Sequence, residues 1–112
     1  MEKVYENALI KKLRDAGIKA EQQYPIKVIF ENTVVGEYCA DILIEDKVIV
    51  ELKAVELINP VFEVQLVNYL KATGFEVGLL VNFGKKLEIK RKVFSVNHSN
   101  RIQSASETNE KI

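Results

Sequence analysis

Three charged residues stand in apolar, strand-like segments of this 112-residue chain, where a charge is costly to bury. Asp41 interrupts one apolar run, and Glu51 and Lys53 end the next one. Because side chains alternate along a strand, Glu51 and Lys53 share one face. If residues 45–47 form a three-residue hairpin loop, Asp41 falls directly opposite Glu51, at a Cβ separation of about 4.5–5.5 Å.

Two carboxylates at that distance repel each other unless a proton or a cation lies between them. Magnesium or manganese fits such a site, because both are hard cations that prefer oxygen ligands. The two carboxylates, a backbone carbonyl near Leu52 and water molecules would complete the coordination. Lys53 would then lie beside a metal-bound water, an arrangement suited to phosphodiester hydrolysis. The alternative is a solvated Glu-x-Lys ion-pair face, worth under about 1 kcal/mol.

The elements that must position these residues follow from the hydrophobic pattern. An amphipathic helix is predicted over residues 2–16, with a stop at Gly17. A second is predicted over residues 60–72, capped by Asn59 and ended by Gly74. Five strands are predicted over residues 22–30, 34–44, 48–54, 76–82 and 87–94.

The predicted order is therefore α-β-β-β-α-β-β, an α/β or α+β fold in which a mixed sheet is flanked by two helices. Pro25 places the first strand at a sheet edge, or itself near the start of a strand, because proline lacks the N–H donor that an interior strand needs. Residues 48–50 are apolar on both sides of the pleat, so we expect the third strand to be central and covered on both faces. One domain is expected over residues 1–94, followed by a polar tail over residues 95–112 that is too poor in apolar residues to order itself.

The composition and net charge of the chain exclude several classes of function and site. Sixteen basic and sixteen acidic residues give zero net charge, which argues against bulk electrostatic capture of nucleic acid or membrane. The sole cysteine, Cys39, excludes an internal disulfide, and we expect it to be a small buried hydrophobe. The sole histidine, His98, lies in the polar tail, which excludes histidine-based triads. No apolar leader or membrane-length segment is evident, so a cytoplasmic location is expected.

The chain resembles the PD-(D/E)XK nuclease superfamily in the order of a first helix, Asp41 and then Glu51-Leu52-Lys53 on a β-hairpin. More closely, it is similar to the small bacterial and archaeal GxxExxY proteins of that superfamily. The matching stretches are residues 2–9, 36–41, 48–54, 65–70 and 78–84. The resemblance implies a restriction-endonuclease-like core and metal-dependent hydrolysis of DNA.

The resemblance also implies roles for individual residues. Asp41 and Glu51 would bind the metal, Mg²⁺ or Mn²⁺, and Lys53 would be the catalytic lysine. Glu2, which matches the helix glutamate of the family motif, would complete the metal site. Gln65 and Tyr69 match a Gln-x-x-x-Tyr pair that lies beside the catalytic centre in RecB-type nucleases. Without the resemblance, the last two are equally well explained as a polar stripe on a half-buried helix.

One basic segment follows the fourth strand and contains Lys85, Lys86, Lys90 and Lys92. It would either track phosphates along a DNA strand or protect a solvated edge strand from aggregation, and we favour the second interpretation.

A function from another class is also open at this point. The chain would then be a non-catalytic binding or assembly module that keeps the nuclease fold, as a homodimer or within a larger repair or defence complex.

Overall fold

The computed structural model describes residues 1–95, which form two helices and five strands. The elements are α1 (Glu2–Asp15), β1 (Ala20–Phe30), β2 (Thr33–Ile44), β3 (Val48–Lys53), α2 (Pro60–Thr73), β4 (Val77–Asn82) and β5 (Glu88–Val93). This order confirms the predicted α+β architecture. Apart from residue 95, the predicted polar tail lies outside the described residues.

The five strands form one mixed sheet with the order β1-β2-β3-β4-β5. Neighbouring strands are antiparallel except β3 and β4, which run parallel and are joined by the α2 crossover. The central position predicted for β3 is confirmed, since Ile49 and Val50 of this strand are almost fully buried. The edge position predicted from Pro25 is confirmed as well, because β1 is an outer strand.

Local signals set the ends of α2. The Asn59 side chain accepts a hydrogen bond from the Val61 backbone N–H at 2.9 Å, and Pro60 occupies the first turn. Gly74 ends the helix in the left-handed conformation at φ 82°, which costs glycine little because it has no Cβ.

Two hydrophobic clusters hold the helices on opposite faces of the sheet. The α1 cluster consists of Ile10, Ala20, Ile42, Val50, Leu52 and Val81. The α2 cluster consists of Ile26, Ala40, Leu43, Ile49, Leu66, Tyr69, Leu70 and Leu80. Gly78 lets α2 approach closely, because a Cβ at this position would lie 2.7 Å from a Leu66 methyl group. The burial of β3 between the two clusters makes any charge on that strand costly.

The expectation that Cys39 is buried is wrong. Cys39 is exposed, and it pairs with Pro25 in the outer half of the β1–β2 hairpin. Most of residues 33–39 are exposed there, so an apolar run in this strand does not indicate burial.

Neither α1 nor α2, the two helices among residues 1–95, has the length and apolar character that crossing a membrane requires.

Candidate metal centre

The candidate centre begins where regular pairing between β2 and β3 ends. The predicted hairpin is confirmed, with Ile44 paired to Val48 and Ile42 paired to Val50. Beyond these pairs, backbone N–H groups of the two strands donate to side-chain carboxylates and not to backbone carbonyls. The Asp41 backbone N–H donates to Glu51 Oε1 at 3.2 Å, and the Leu52 N–H donates to Asp41 Oδ2 at 2.8 Å. The two carboxylates therefore meet at the point where the strands separate.

A backbone irregularity in the outer strand accompanies this separation. Gln23 has φ 52°, in the left-handed region that non-glycine residues rarely occupy, and it stands opposite Asp41 without a ladder partner. At the same level β2 changes face: Ile42 packs in the α1 cluster, whereas Ala40, two residues earlier, packs in the α2 cluster. Strict alternation would place both on one side. The break thus turns the hairpin between the two layers and opens the sheet at Asp41.

A buried glutamate of α1 reaches the same point from the other side of the sheet. Glu6 is only 4% exposed and accepts hydrogen bonds from Lys3 Nζ at 2.8 Å, Gln22 Nε2 at 2.7 Å and Gln23 Nε2 at 2.9 Å. The Gln23 amide also lies 3.4 Å from Asp41 Oδ1. Gln23 therefore connects the helix carboxylate to the carboxylate at the strand break.

Glu2, the helix residue expected to complete the metal site, is exposed and is not brought to this centre. The residue in its place is Glu6, one helical turn further along α1. Glu6 lies four residues before Ile10, the other buried residue of this helix. The i, i+4 spacing from Ile10 is a sequence signal for the burial of Glu6, but it is too weak to identify this residue, because it does not show which face of α1 meets the sheet.

The electrostatics of Glu51 favour an incoming cation. Its side chain is largely buried, and this burial, followed by the negative charge of Asp41, raises the pKa of Glu51 to about 8. The Asp41 N–H and the charge of Lys53 act in the opposite direction but are weaker. Without a cation Glu51 therefore holds a proton at neutral pH. A divalent metal would replace that proton and relieve the repulsion.

The donor set fits a hard metal ion. Each carboxylate accepts a backbone N–H through one oxygen, and Asp41 Oδ1 also accepts the longer contact from the Gln23 amide at 3.4 Å. Glu51 Oε2 and the remaining lone pair of Asp41 Oδ1 are therefore open to a ligand. Within residues 1–95, no group of three or more histidine, cysteine, aspartate or glutamate side chains is placed to hold a metal ion. The protein thus offers a pair of carboxylates, and water and a substrate phosphate would supply the remaining ligands, as is usual for Mg²⁺.

Lys53 lies on the α2 side of the sheet at the end of β3. Its Nζ stands 4.3 Å from the centre of the Phe62 ring, a cation–π contact that holds the ammonium near α2. The same charge lowers the pKa of Glu51, so the two side chains act on each other as their shared strand face predicts.

Gln65 and Tyr69 form the pair predicted from their spacing on α2. Gln65 Nε2 donates to the Tyr69 hydroxyl at 3.0 Å, and Tyr69 is 7% exposed. Burial raises the pKa of Tyr69 to about 12, and the charge of Glu51 acts in the same direction. The Tyr69 hydroxyl is therefore neutral and keeps its proton for hydrogen bonding.

Comparison with models of protein families shows which superfamily the chain belongs to. Residues 1–92 match the model of the PD-(D/E)XK nuclease superfamily. The chain belongs to that superfamily. It is thus a nuclease-like domain, and PD-(D/E)XK nucleases generally use divalent metals. A comparison with curated proteins gave no match.

Solved structures share the fold at low sequence identity. SSO0001 aligns with a TM-score of 0.65 at 18% identity, over 98% of this chain and 58% of its own. The alkaline exonuclease LHK-Exo from Laribacter hongkongensis aligns with a TM-score of 0.61 at 13% identity, over 97% of this chain and 64% of its own. This chain therefore spans less than two thirds of either protein, and the likeness shows that the three chains share a fold.

Asn82 supports the end of the PD-(D/E)XK hairpin and was not identified from the sequence. Its fully buried amide accepts from the Val55 N–H at 3.0 Å and donates to the Val55 carbonyl at 2.8 Å. Gly84 passes the same residue so closely that a Cβ would lie 1.8 Å from the Val55 oxygen. These contacts fix the segment that follows Lys53.

The basic segment lies on β5, the other edge of the PD-(D/E)XK sheet. Lys90 pairs with Leu80, which pairs with Glu51, so Lys90 is two strands, or about 10 Å, from the candidate centre. Lys85 and Lys86 are exposed in the preceding turn. Lys92 instead forms an ion pair with Glu63 of α2 at 2.7 Å.

Proposed function

We propose that this chain is a divalent-metal-dependent nuclease domain that hydrolyses DNA phosphodiester bonds, with Asp41 and Glu51 as ligands of Mg²⁺ or Mn²⁺. The observation that carries the proposal is the meeting of these carboxylates at a strand break, with one of them buried and short of positive charge. Within the superfamily we assign the chain to the GxxExxY proteins. A cytoplasmic location is part of the same proposal.

The metal, when bound, would polarise the scissile phosphate and lower the pKa of a coordinated water. Lys53 would supply a positive charge where negative charge develops on the phosphate oxygens. It would also orient the attacking water, because its ammonium has three donors on a chain held by Phe62. The Tyr69 hydroxyl would donate a hydrogen bond to a phosphate oxygen, and Gln65 would hold that hydroxyl in place.

Glu6 influences the candidate centre indirectly, through Gln23. Its carboxylate fixes the Gln23 amide, which in turn approaches Asp41 Oδ1. Such outer contacts set the orientation of a metal ligand, and their loss usually lowers metal affinity or activity by about 10–100-fold. Glu6 is therefore a positioning residue in this proposal.

The test is cleavage of end-labelled single-stranded and duplex DNA with Mg²⁺ or Mn²⁺. Asp41→Asn and Lys53→Ala are expected to lower the rate at least about 100-fold. Asp46→Asn and Lys47→Ala, which change the same residue types in the exposed hairpin loop, are matched controls that keep the rate within about twofold.

Equal rates in all five proteins would contradict the assignment. DNA binding without cleavage under either metal would instead identify a binding or assembly module. Analytical ultracentrifugation of the same samples would show whether that module forms a homodimer.

A further inference from the structure

An open groove of about 560 Å³ lies between α2 and the outer half of the β1–β2 hairpin. This volume is within the range of roughly 300–1,000 Å³ that small-molecule sites occupy. Its lining includes Tyr38 of β2 on one side and Val61, Phe62, Val64, Tyr69 and Lys71 of α2 on the other. The groove is thus bounded mainly by aromatic rings and aliphatic side chains, and Lys71, Gln65 and Asn68 are its charged and polar members.

Tyr38 is the aromatic residue of this groove that remains open to solvent. It is 49% exposed, whereas its neighbour Tyr69 is 7% exposed, and the centres of the two rings are 5.8 Å apart. A half-exposed ring fixed against a buried one is a ready surface for stacking a planar group. No polar contact of the Tyr38 hydroxyl is needed for such a role.

The groove adjoins the candidate metal centre through Phe62. This residue lines the groove, and the Lys53 Nζ at the end of β3 stands 4.3 Å from the centre of its ring. Gln65 and Tyr69, the hydrogen-bonded pair of α2, line the groove as well. A chain that lay in the groove would therefore pass beside Lys53, which shares its strand face with Glu51.

The accessibility of the bases discriminates between forms of nucleic acid at this groove. In duplex DNA the bases are stacked on one another and the phosphates face outward, so a duplex is bound mainly through lysine and arginine contacts. Among the described residues that line the groove, Lys71 is the one charged side chain. Unpaired bases, in contrast, stack on aromatic side chains with little dependence on sequence, and the positive charge of Lys71 is available to the backbone of the same strand.

We infer that the groove binds an unpaired nucleobase of a single DNA strand, stacked on Tyr38, and feeds that strand to the metal centre. The inference rests on the proposed function for its biological meaning, but the binding step is separate from catalysis. A single strand or a frayed duplex end is then the substrate, and intact duplex is not.

The experiment measures binding by fluorescence anisotropy in EDTA, where no metal-dependent cleavage takes place. Three labelled probes are used: the single strand dT12, a 12-nucleotide strand in which abasic sites replace the thymidines, and a 12-base-pair duplex. The proteins are wild type, Tyr38→Ala, Tyr38→Phe and Ile89→Ala, the last being an exposed apolar residue on β5 outside the groove. A further pair, Val64→Glu and Val64→Lys, changes the charge of the groove wall.

Wild type is expected to bind dT12 more tightly than either other probe. Tyr38→Ala should weaken binding of dT12 by roughly 5- to 150-fold, and Tyr38→Phe and Ile89→Ala should bind as wild type does. Val64→Glu should weaken dT12 binding and Val64→Lys should not, because the strand carries phosphates alongside its bases. Binding of the abasic strand should not depend on Tyr38.

The inference is overturned if Tyr38→Ala binds dT12 as wild type does, if duplex is bound as tightly as dT12, or if wild type binds none of the probes. It is also overturned if wild type sediments as a dimer that Val64→Glu dissociates while dT12 binding is unchanged, since the groove would then hold a second copy.

Cleavage assays in Mg²⁺ separate this inference from the proposed function. Tyr38-dependent binding of dT12 without cleavage would refute the proposed nuclease activity but support base binding in the groove. Cleavage of duplex by wild type and Tyr38→Ala at equal rates would support the nuclease activity but refute base binding in the groove.

Discussion

Two buried glutamates on opposite sides of the sheet have almost the same exposure and opposite surroundings. Glu6 is 4% exposed and Glu51 is 8% exposed. Glu6 accepts from one ammonium and two amides, whereas Glu51 accepts from one backbone N–H and faces the carboxylate of Asp41. Burial of a carboxylate is tolerated when donors surround it and is costly when they do not. Glu51 therefore lacks the donors that Glu6 has, as the proposed metal site requires.

The largest contrast is expected in catalysis. Glu51→Gln should lower DNA cleavage in Mg²⁺ at least about 100-fold, because it removes a metal ligand. Glu6→Gln should lower the same rate about 10-fold, because it disturbs only the amide that orients Asp41. Single-turnover rates at saturating DNA measure both. Equal losses would show that the two glutamates do not differ in role.

Stability without metal should change in opposite directions. At pH 7 Glu51→Gln is expected to raise the free energy of unfolding by up to about 3 kcal/mol, because it removes the cost of keeping a proton that the unfolded chain releases. Glu6→Ala should lower it by about 1–3 kcal/mol, because the Gln22 and Gln23 amides lose their acceptor. Urea denaturation in EDTA measures both values. A loss of stability in both variants would contradict the comparison.

The pH dependence follows from the raised pKa of Glu51. The folded protein holds this proton up to about pH 8, whereas the unfolded chain releases it near the ordinary value of 4.5. Between these values the folded state binds more protons, so its stability falls as the pH rises, by about 1.4 kcal/mol per pH unit. The stability that the Glu51 proton contributes is fully present below pH 4.5 and is lost above pH 8. The difference between wild type and Glu51→Gln across pH 4–9 isolates it, and a flat difference would refute the raised pKa.

The smallest effect is expected at the edge of the Glu6 network. Lys3 is 61% exposed, so Lys3→Ala should lower the free energy of unfolding by less than about 1 kcal/mol, since Gln22 and Gln23 still donate to Glu6. Thermal unfolding at low and high salt measures it. A loss as large as that of Glu6→Ala would show that the ammonium, and not the amides, stabilises the buried carboxylate.

Much of the fold was predictable because local signals agreed with one another. The Asn59 cap, the Gly74 stop and the doubly apolar run at residues 48–50 each act within a few residues of the structure they specify. The opposition of Asp41 and Glu51 was predictable for the same reason, since a three-residue loop fixes the register of a hairpin.

The part of the centre that was not predictable depends on the strand break. Alternation assigns every side chain of β1 to a face, and the left-handed Gln23 reverses that assignment at a residue that is neither glycine nor proline. The link from Glu6 through Gln23 to Asp41 lies at this reversal. Cys39 was misjudged because an apolar pattern does not show whether a layer covers it.

Titration of the protein with Mn²⁺ by isothermal calorimetry at pH 8 measures directly whether Asp41 and Glu51 bind a metal. Wild type is expected to bind Mn²⁺, Asp41→Asn and Glu51→Gln are expected to lose the binding, and Glu6→Gln is expected to weaken it by no more than about 10–100-fold. A wild-type protein that binds no Mn²⁺, or metal binding that survives unchanged in Glu51→Gln, would refute the proposed metal site.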